Sequence, residues 1–271
     1  MRMLLSEFGG SVSAEEEGAF FASIHQSNGT TRMTSRDRLN DVNAAIASCL
    51  PDNTKLEALD LGISSGISTL EWLLALEVLG HNCAMTACDR VLNARLYRFA
   101  RLQVLAEEGG HVLLAHNGQR AFTRPLYQTS SWRNALARAI FRLGDMTTKF
   151  ARTVGAGQEV RLVNHRLQSR LDVKFVEHDI FSPAPDWIGQ FQLVRVANLL
   201  NCAYFPEAAL RVGLCNAGSW VQLGGVLAVT RTESDGKNNA TLFRQEGDGL
   251  RVIHRLGTGS EVEALVTSGI T

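Results

Sequence analysis

Short apolar runs alternate along this chain with stretches of helical spacing. Leu56, Leu59 and Leu61 make the first run, Cys83 to Cys88 the second, Val173 to Glu177 the third and Phe191 to Ala197 the fourth. Each is closed by an acid or an amide within two residues. Short runs bounded in this way suit buried parallel strands. A fifth, Val226 to Thr230, follows a turn at Gly224-Gly225. Between the first two runs, Leu70, Leu73, Leu74 and Val78 recur at helical intervals. Pro206 to Trp220 predicts another helix. Leu39, Val42, Ile46 and Leu50 share one face of a helix that Thr34 or Ser35 would cap and Pro51 would end. Ala14 to Ile24 reads as a short helix in a lead-in covering residues 1–53. Ala240 to Arg244 and Leu250 to His254 read as a closing antiparallel hairpin joined at Glu246 to Gly249. The expected fold is a doubly wound, mostly parallel α/β sheet in one domain over 1–271.

The third strand begins long after the second ends, and a βαβ crossover needs far less chain. Residues 94–170 are therefore expected to be an insertion. Leu92 to Leu105 looks helical, Asn117-Gly118 signals a hairpin, and Trp132 to Thr153 reads as an amphipathic helix with Leu136, Ile140, Phe141 and Leu143. The insertion is either a lid over a substrate or a packing surface that leaves room for a homodimer.

Composition narrows the class. An apolar fraction of 45% suits a globular protein. The 27 basic and 27 acidic residues balance, so no nucleic-acid or membrane footprint stands out. The five cysteines show no C-x-x-C pair and no histidine at metal spacing, as for reduced thiols in a cytoplasmic protein. No metal site is expected.

The candidate chemistry lies at Asp60 to Gly66, a tight strand-to-helix turn. Gly62 and Gly66 let the backbone bend sharply and approach a ligand, and the helix start behind them offers unpaired N–H groups. No lysine follows Gly66, which excludes a P-loop. The dinucleotide fingerprint is two glycines short. Asp60-x-Gly62-x-Ser64-x-Gly66 instead resembles the first motif of class I S-adenosylmethionine (SAM) methyltransferases, with Ser64 in place of one glycine. Leu223-Gly224-Gly225 resembles that class's turn before the fifth strand, without its proline. The run Arg195-Val-Ala-Asn198-Leu-Leu-Asn201-Cys-Ala-Tyr204-Phe205 is similar to a segment of chemotaxis receptor methyltransferases, given a small insertion before Tyr204. Too few residues precede Asp60 for that family's N-terminal helical domain, so this resemblance covers only the core, about 56–232.

The resemblance implies a seven-stranded sheet and SAM as cofactor. Asp60, Gly62, Ser64 and Gly66 would hold its methionine end. Asp89, about 20 residues past the turn, is placed to bind the ribose. Asp179 and Ile180 would contact adenine, and Asn198 would contact SAM from the fourth strand. Arg32 is a candidate for the SAM carboxylate, since an arginine fork binds a carboxylate in bidentate fashion. Asn201, Tyr204, Trp132 and Phe141 are the candidates for the acceptor, a small molecule. No catalytic residue is assigned, because displacement at a sulfonium needs mainly in-line approach and desolvation. The other readings are a protein carboxyl methyltransferase, a non-catalytic nucleotide-binding α/β protein, or a dehydrogenase.

Overall fold

The computed structural model describes residues 14–24, 36–51, 55–99, 102–116, 121–122, 132–153 and 157–267. It divides into a smaller unit, Met1–Thr34 with Val91–Leu162, and a larger one, Ser35–Arg90 with Val163–Thr271. With elements numbered along the chain, the smaller unit holds α1 (Ala14–Ala22), β3 (Asn93–Phe99), β4 (Leu102–Ala106), β5 (Val112–His116), β6 (Ala121–Phe122), α4 (Trp132–Thr153) and β7 (Gln158–Arg161). The larger holds α2 (Asn40–Ala47), β1 (Lys55–Leu61), α3 (Ile67–Val78), β2 (Asn82–Asp89), α5 (His165–Gln168), β8 (Val173–Glu177), β9 (Phe191–Ala197), α6 (Glu207–Trp220), β10 (Val221–Thr232), β11 (Asn238–Glu246), β12 (Gly249–Leu256) and α7 (Glu263–Thr267).

The larger unit is a seven-stranded sheet in the order β12-β11-β10-β9-β1-β2-β8. Its strands from β8 to β10 pair in parallel, and β11 and β12 add antiparallel. Chain order runs outward in both directions from the β1–β9 pair, which makes that pair the topological switch point. Alternation along β1 sorts the faces. Leu59 and Leu61 join Val194, Val196, Leu227 and Val229 in a core closed by Leu210, Leu214 and Trp220 of α6. Burying each of these side chains contributes about 1.5–3 kcal/mol. Asp60, between the two leucines, faces α3. The Gly224-Gly225 turn proves to be a register shift inside β10, where Gly224 has φ +82°. The helix expected to start at Thr34 or Ser35 begins at Asn40, and those two residues lie outside the described ones.

The smaller unit corrects one expectation. Leu92 to Leu105 is not helical but forms β3 and β4 of a five-stranded antiparallel sheet, β6-β5-β4-β3-β7. Phe20, Phe21 and Ile24 pack with Ala94, Leu96, Leu105 and Leu113. A second cluster joins Tyr97, Val104, Ala106 and Val112 to Phe141 and Ala151 of α4. Strands β5 and β6 pair as a hairpin, with Asn117-Gly118 outside the described residues. Among the described residues no helix is long and apolar enough to cross a membrane.

Candidate adenosyl-binding site

Four candidate groups sit at carboxyl ends of parallel strands in the larger unit, where open α/β sheets take ligands. They are the Gly62–Gly66 turn after β1, Asp89 ending β2, Asp179 after β8 and Asn198 after β9. The turn is held from below. The Gly62 and Ile63 N–H groups both donate to the Cys88 carbonyl, at 2.8 and 3.2 Å. Ser64 has a left-handed backbone, φ +56°, a conformation that favours glycine. Its N–H donates to Asp89 Oδ2 at 2.8 Å. The acid of the second strand and the turn of the first are thus one unit.

Both glycines are needed, for different reasons. Gly66 has φ +76°, and a Cβ there would lie 2.5 Å from Leu167 Cδ2. Leu167 reaches that spot because α5 is capped by Asn164 Oδ1, which accepts from the Arg166 and Leu167 N–H groups. The Asn164 N–H donates to the Ser65 carbonyl at 2.7 Å. Gly62, φ +73°, has the Leu199 side chain 3.3 Å from the place a Cβ would take.

Asp60 is placed differently from its expected role. It is 2% exposed. Its Oδ1 accepts from Arg195 Nε at 3.0 Å, and its Oδ2 from Arg195 Nη2 at 2.6 Å and from Thr69 Oγ1 at 2.7 Å. Arg195 also donates to Asn43 Oδ1 at 2.8 Å and to the Ser68 carbonyl at 3.1 Å. Its guanidinium carbon lies 4.3 Å from the ring centre of Trp72, a cation–π contact. Sequence reasoning missed this role for Arg195. The signal was present: an arginine inside Leu193-Val-Arg-Val196 of a central strand demands a buried acid, and the first strand holds one.

The remaining candidates divide. Asp179 is half-buried, and its Oδ1 accepts from the Phe181 N–H at 3.0 Å, closing a local turn. Ile180 is core, 3% exposed. Asn198, at φ +56°, bridges to β10: its Oδ1 accepts from the Thr232 N–H at 2.7 Å and its Nδ2 donates to Thr232 Oγ1. Asn201 Oδ1 accepts from Arg231 at 3.0 Å, and Arg231 also pairs with Glu261. Tyr204 is exposed. Phe141 is buried in the core of the smaller unit, packed with Tyr97, Val104 and Val112. Arg32 and the Trp132 side chain lie outside the described residues.

His178 turns into an aromatic cluster, 4.9 Å from Trp187 and 5.6 Å from Trp220 between ring centres, with Nε2 3.1 Å from the Ser182 carbonyl oxygen. Burial, with Asp89 and Asp60 adding to it, holds the Cys88 thiol well above its ordinary range, so it remains protonated. Burial likewise pushes Cys83 up to about 12. Among the described residues no cluster of His, Cys, Asp and Glu is arranged for a metal.

No family model matches the chain, and no curated protein matches it either. Its fold overlaps loosely with several solved structures. The CMeT domain of the citrinin polyketide synthase is 15% identical, with a TM-score of 0.40 over 80% of this chain and 39% of that one. A putative Zn-dependent alcohol dehydrogenase from Rhodobacter sphaeroides is 16% identical, with 0.37 over 79% and 52%. The 1,6-didemethyltoxoflavin-N1-methyltransferase of Burkholderia thailandensis, solved with bound 1,6-didemethyltoxoflavin and S-adenosylhomocysteine, is 16% identical, with 0.39 over 87% and 68%. The chain spans about two fifths of the first of these and half of the second. Scores this low do not separate a methyltransferase from a dehydrogenase, so the functional reading rests on the site.

Proposed function

We propose that this protein is a SAM-dependent methyltransferase acting on a small-molecule acceptor. The observation that carries the reading is the Ser64–Asp89 bond: the residue that departs from the glycine pattern has a backbone conformation that favours glycine and is bonded to the acid suited to a ribose. The adenosyl half of the cofactor fits these groups. Asp89 would accept from the ribose hydroxyls, Asp179 would meet the adenine amine, and the Gly62–Gly66 backbone would run along the tail. The sulfonium, when bound, supplies a methyl group on a good leaving group. The chain's own task is then to align the acceptor and exclude water. That task needs no base when the acceptor is an amine or a carboxylate.

Residues 91–162 leave the larger unit's sequence directly after Asp89-Arg90, and we assign acceptor selection to them. Of the residues that carry the chemotaxis-type likeness, Arg195 is buried against Asp60 and Asn201 is held by Arg231, and the likeness covers only the core, so it is not extended to a protein substrate. Incubation with labelled SAM and a metabolite extract, read by mass spectrometry, tests the activity. Binding of SAM without any labelled product would favour the non-catalytic nucleotide-binding reading.

A further inference from the structure

We infer that Leu199 is a specificity residue for the ligand's tail, the apolar contact that the tail makes beside the Gly62 turn. This deepens the methyltransferase reading and rests on it. Asn198 follows β9 at the switch point, next to the turn that follows β1. Its left-handed backbone, φ +56°, breaks the alternation of the strand. The Asn198 side chain is engaged with β10, accepting from the Thr232 N–H and donating to Thr232 Oγ1. Leu200 enters the core, 4% exposed, against Gly213 of α6. Leu199 reaches across to the turn. Its Cδ2, Cβ and Cδ1 are 3.3, 3.4 and 3.5 Å from the point that a Gly62 Cβ would occupy.

Gly62 thus makes room for Leu199. Both residues remain half-buried, so the surface they share is open to a ligand. The bend that aims Leu199 is braced over a distance. Thr232 Oγ1 donates to Asn238 Oδ1 at 2.7 Å, and Asn238 Nδ2 donates to the Arg38 carbonyl and to Asp41 Oδ1, each at 2.6 Å. Bonds from β9 through β10 and β11 to the start of α2 hold the left-handed residue in place, as such a conformation requires. A ligand that runs along the Gly62 backbone in the switch-point crevice meets the Leu199 isobutyl group there. With the adenosyl half at Asp89 and Asp179, that part of the ligand is the tail. Its methylenes and sulfur are the groups that gain from leaving water against hydrocarbon.

Calorimetric titration of wild type, Leu199→Ala and Leu199→Phe with S-adenosylhomocysteine tests this, with adenosine read by displacement. Adenosine keeps the ribose and the base and lacks the tail. Both variants are expected to weaken S-adenosylhomocysteine by about fivefold or more, the worth of roughly one or two buried methylenes, and to leave adenosine within about twofold. The first variant removes the contact and the second overfills it, so either alone decides the question if the other does not fold. Equal losses for the two ligands, or no loss for S-adenosylhomocysteine, would overturn the inference and leave the methyltransferase reading standing. Failure of the wild type to bind S-adenosylhomocysteine would overturn that reading and the inference with it.

Discussion

Asp60 and Arg195 are direct partners in the register of β1 and β9, and the guanidinium grips both carboxylate oxygens out of reach of solvent. Bidentate pairing of this kind holds two neighbouring strands and, through Ser68 and Thr69, the first turn of α3. Removing one partner of a buried pair leaves an uncompensated charge, at a cost of about 3–5 kcal/mol. Arg195→Met is therefore expected to lower unfolding free energy by that amount in urea titrations. A loss under about 1 kcal/mol would mean that the pair does not persist in solution.

The two glycines Gly66 and Gly224 share a left-handed backbone but not their surroundings. Nothing lies within 4 Å of a Cβ at Gly224, whereas one at Gly66 would strike Leu167, which is fully buried. Gly224→Ala should cost only backbone strain, about 1–2 kcal/mol. Gly66→Ala should cost clearly more. Thermal unfolding of the two variants side by side checks the order, and equal shifts would contradict the packing of α5 on the turn.

Glu71 gives a pH dependence with a definite sign. Burial raises its carboxyl above the ordinary value of 4.5, although the Asp37 N–H donates to Oε1. Its Oε2 is buried with no hydrogen-bond partner among the described residues. A folded-state value above the unfolded one means that the protonated acid favours the fold. The contribution is fully present below the unfolded value and is lost as pH rises through the raised one. Stability of the wild type relative to Glu71→Gln should therefore decline across that window and level off above it. Urea titrations from pH 4 to neutrality would show this, and a relative stability that rises with pH would contradict it.

Much of the sheet was legible because its strands are short, apolar and closed by acids. Val173–Glu177, Phe191–Ala197 and the helix Trp132–Thr153 fall where their patterns put them. The miss at Leu92 to Leu105 has a physical cause. Leu96 and Tyr97 are adjacent and both buried, one in each apolar cluster of the smaller unit. A strand covered on both faces loses its alternation. Arg95, Arg98 and Arg101, spaced by three, imitate one face of a helix instead. The site was legible as a set of strand ends, but not in the direction of each side chain. Asp60 and Asp89 both end strands, yet one faces α3 and its arginine while the other bonds the turn.

The inserted unit also redraws the boundary for an exchange experiment. Residues 163–170 pack on the turn through Val163, Asn164 and Leu167, so they belong with the sheet. The smaller unit includes residues 1–34 as well as 91–162. A chain that keeps residues 1–90, Arg32 included, and joins them to Val163–Thr271 by a short linker is expected to retain binding of S-adenosylhomocysteine and to lose methyl transfer. Full transfer by the shortened chain would place acceptor selection outside residues 91–162.

Cofactor choice is the central claim, and Asp89 is the residue that tests it. Calorimetry of the wild type should show binding of S-adenosylhomocysteine and none, or far weaker binding, of NAD. Asp89→Ala should weaken the first by about 1.5–3 kcal/mol, the range for hydrogen bonds to a charged group, while the protein stays folded. Tight binding of NAD with no heat from S-adenosylhomocysteine would contradict the account outright.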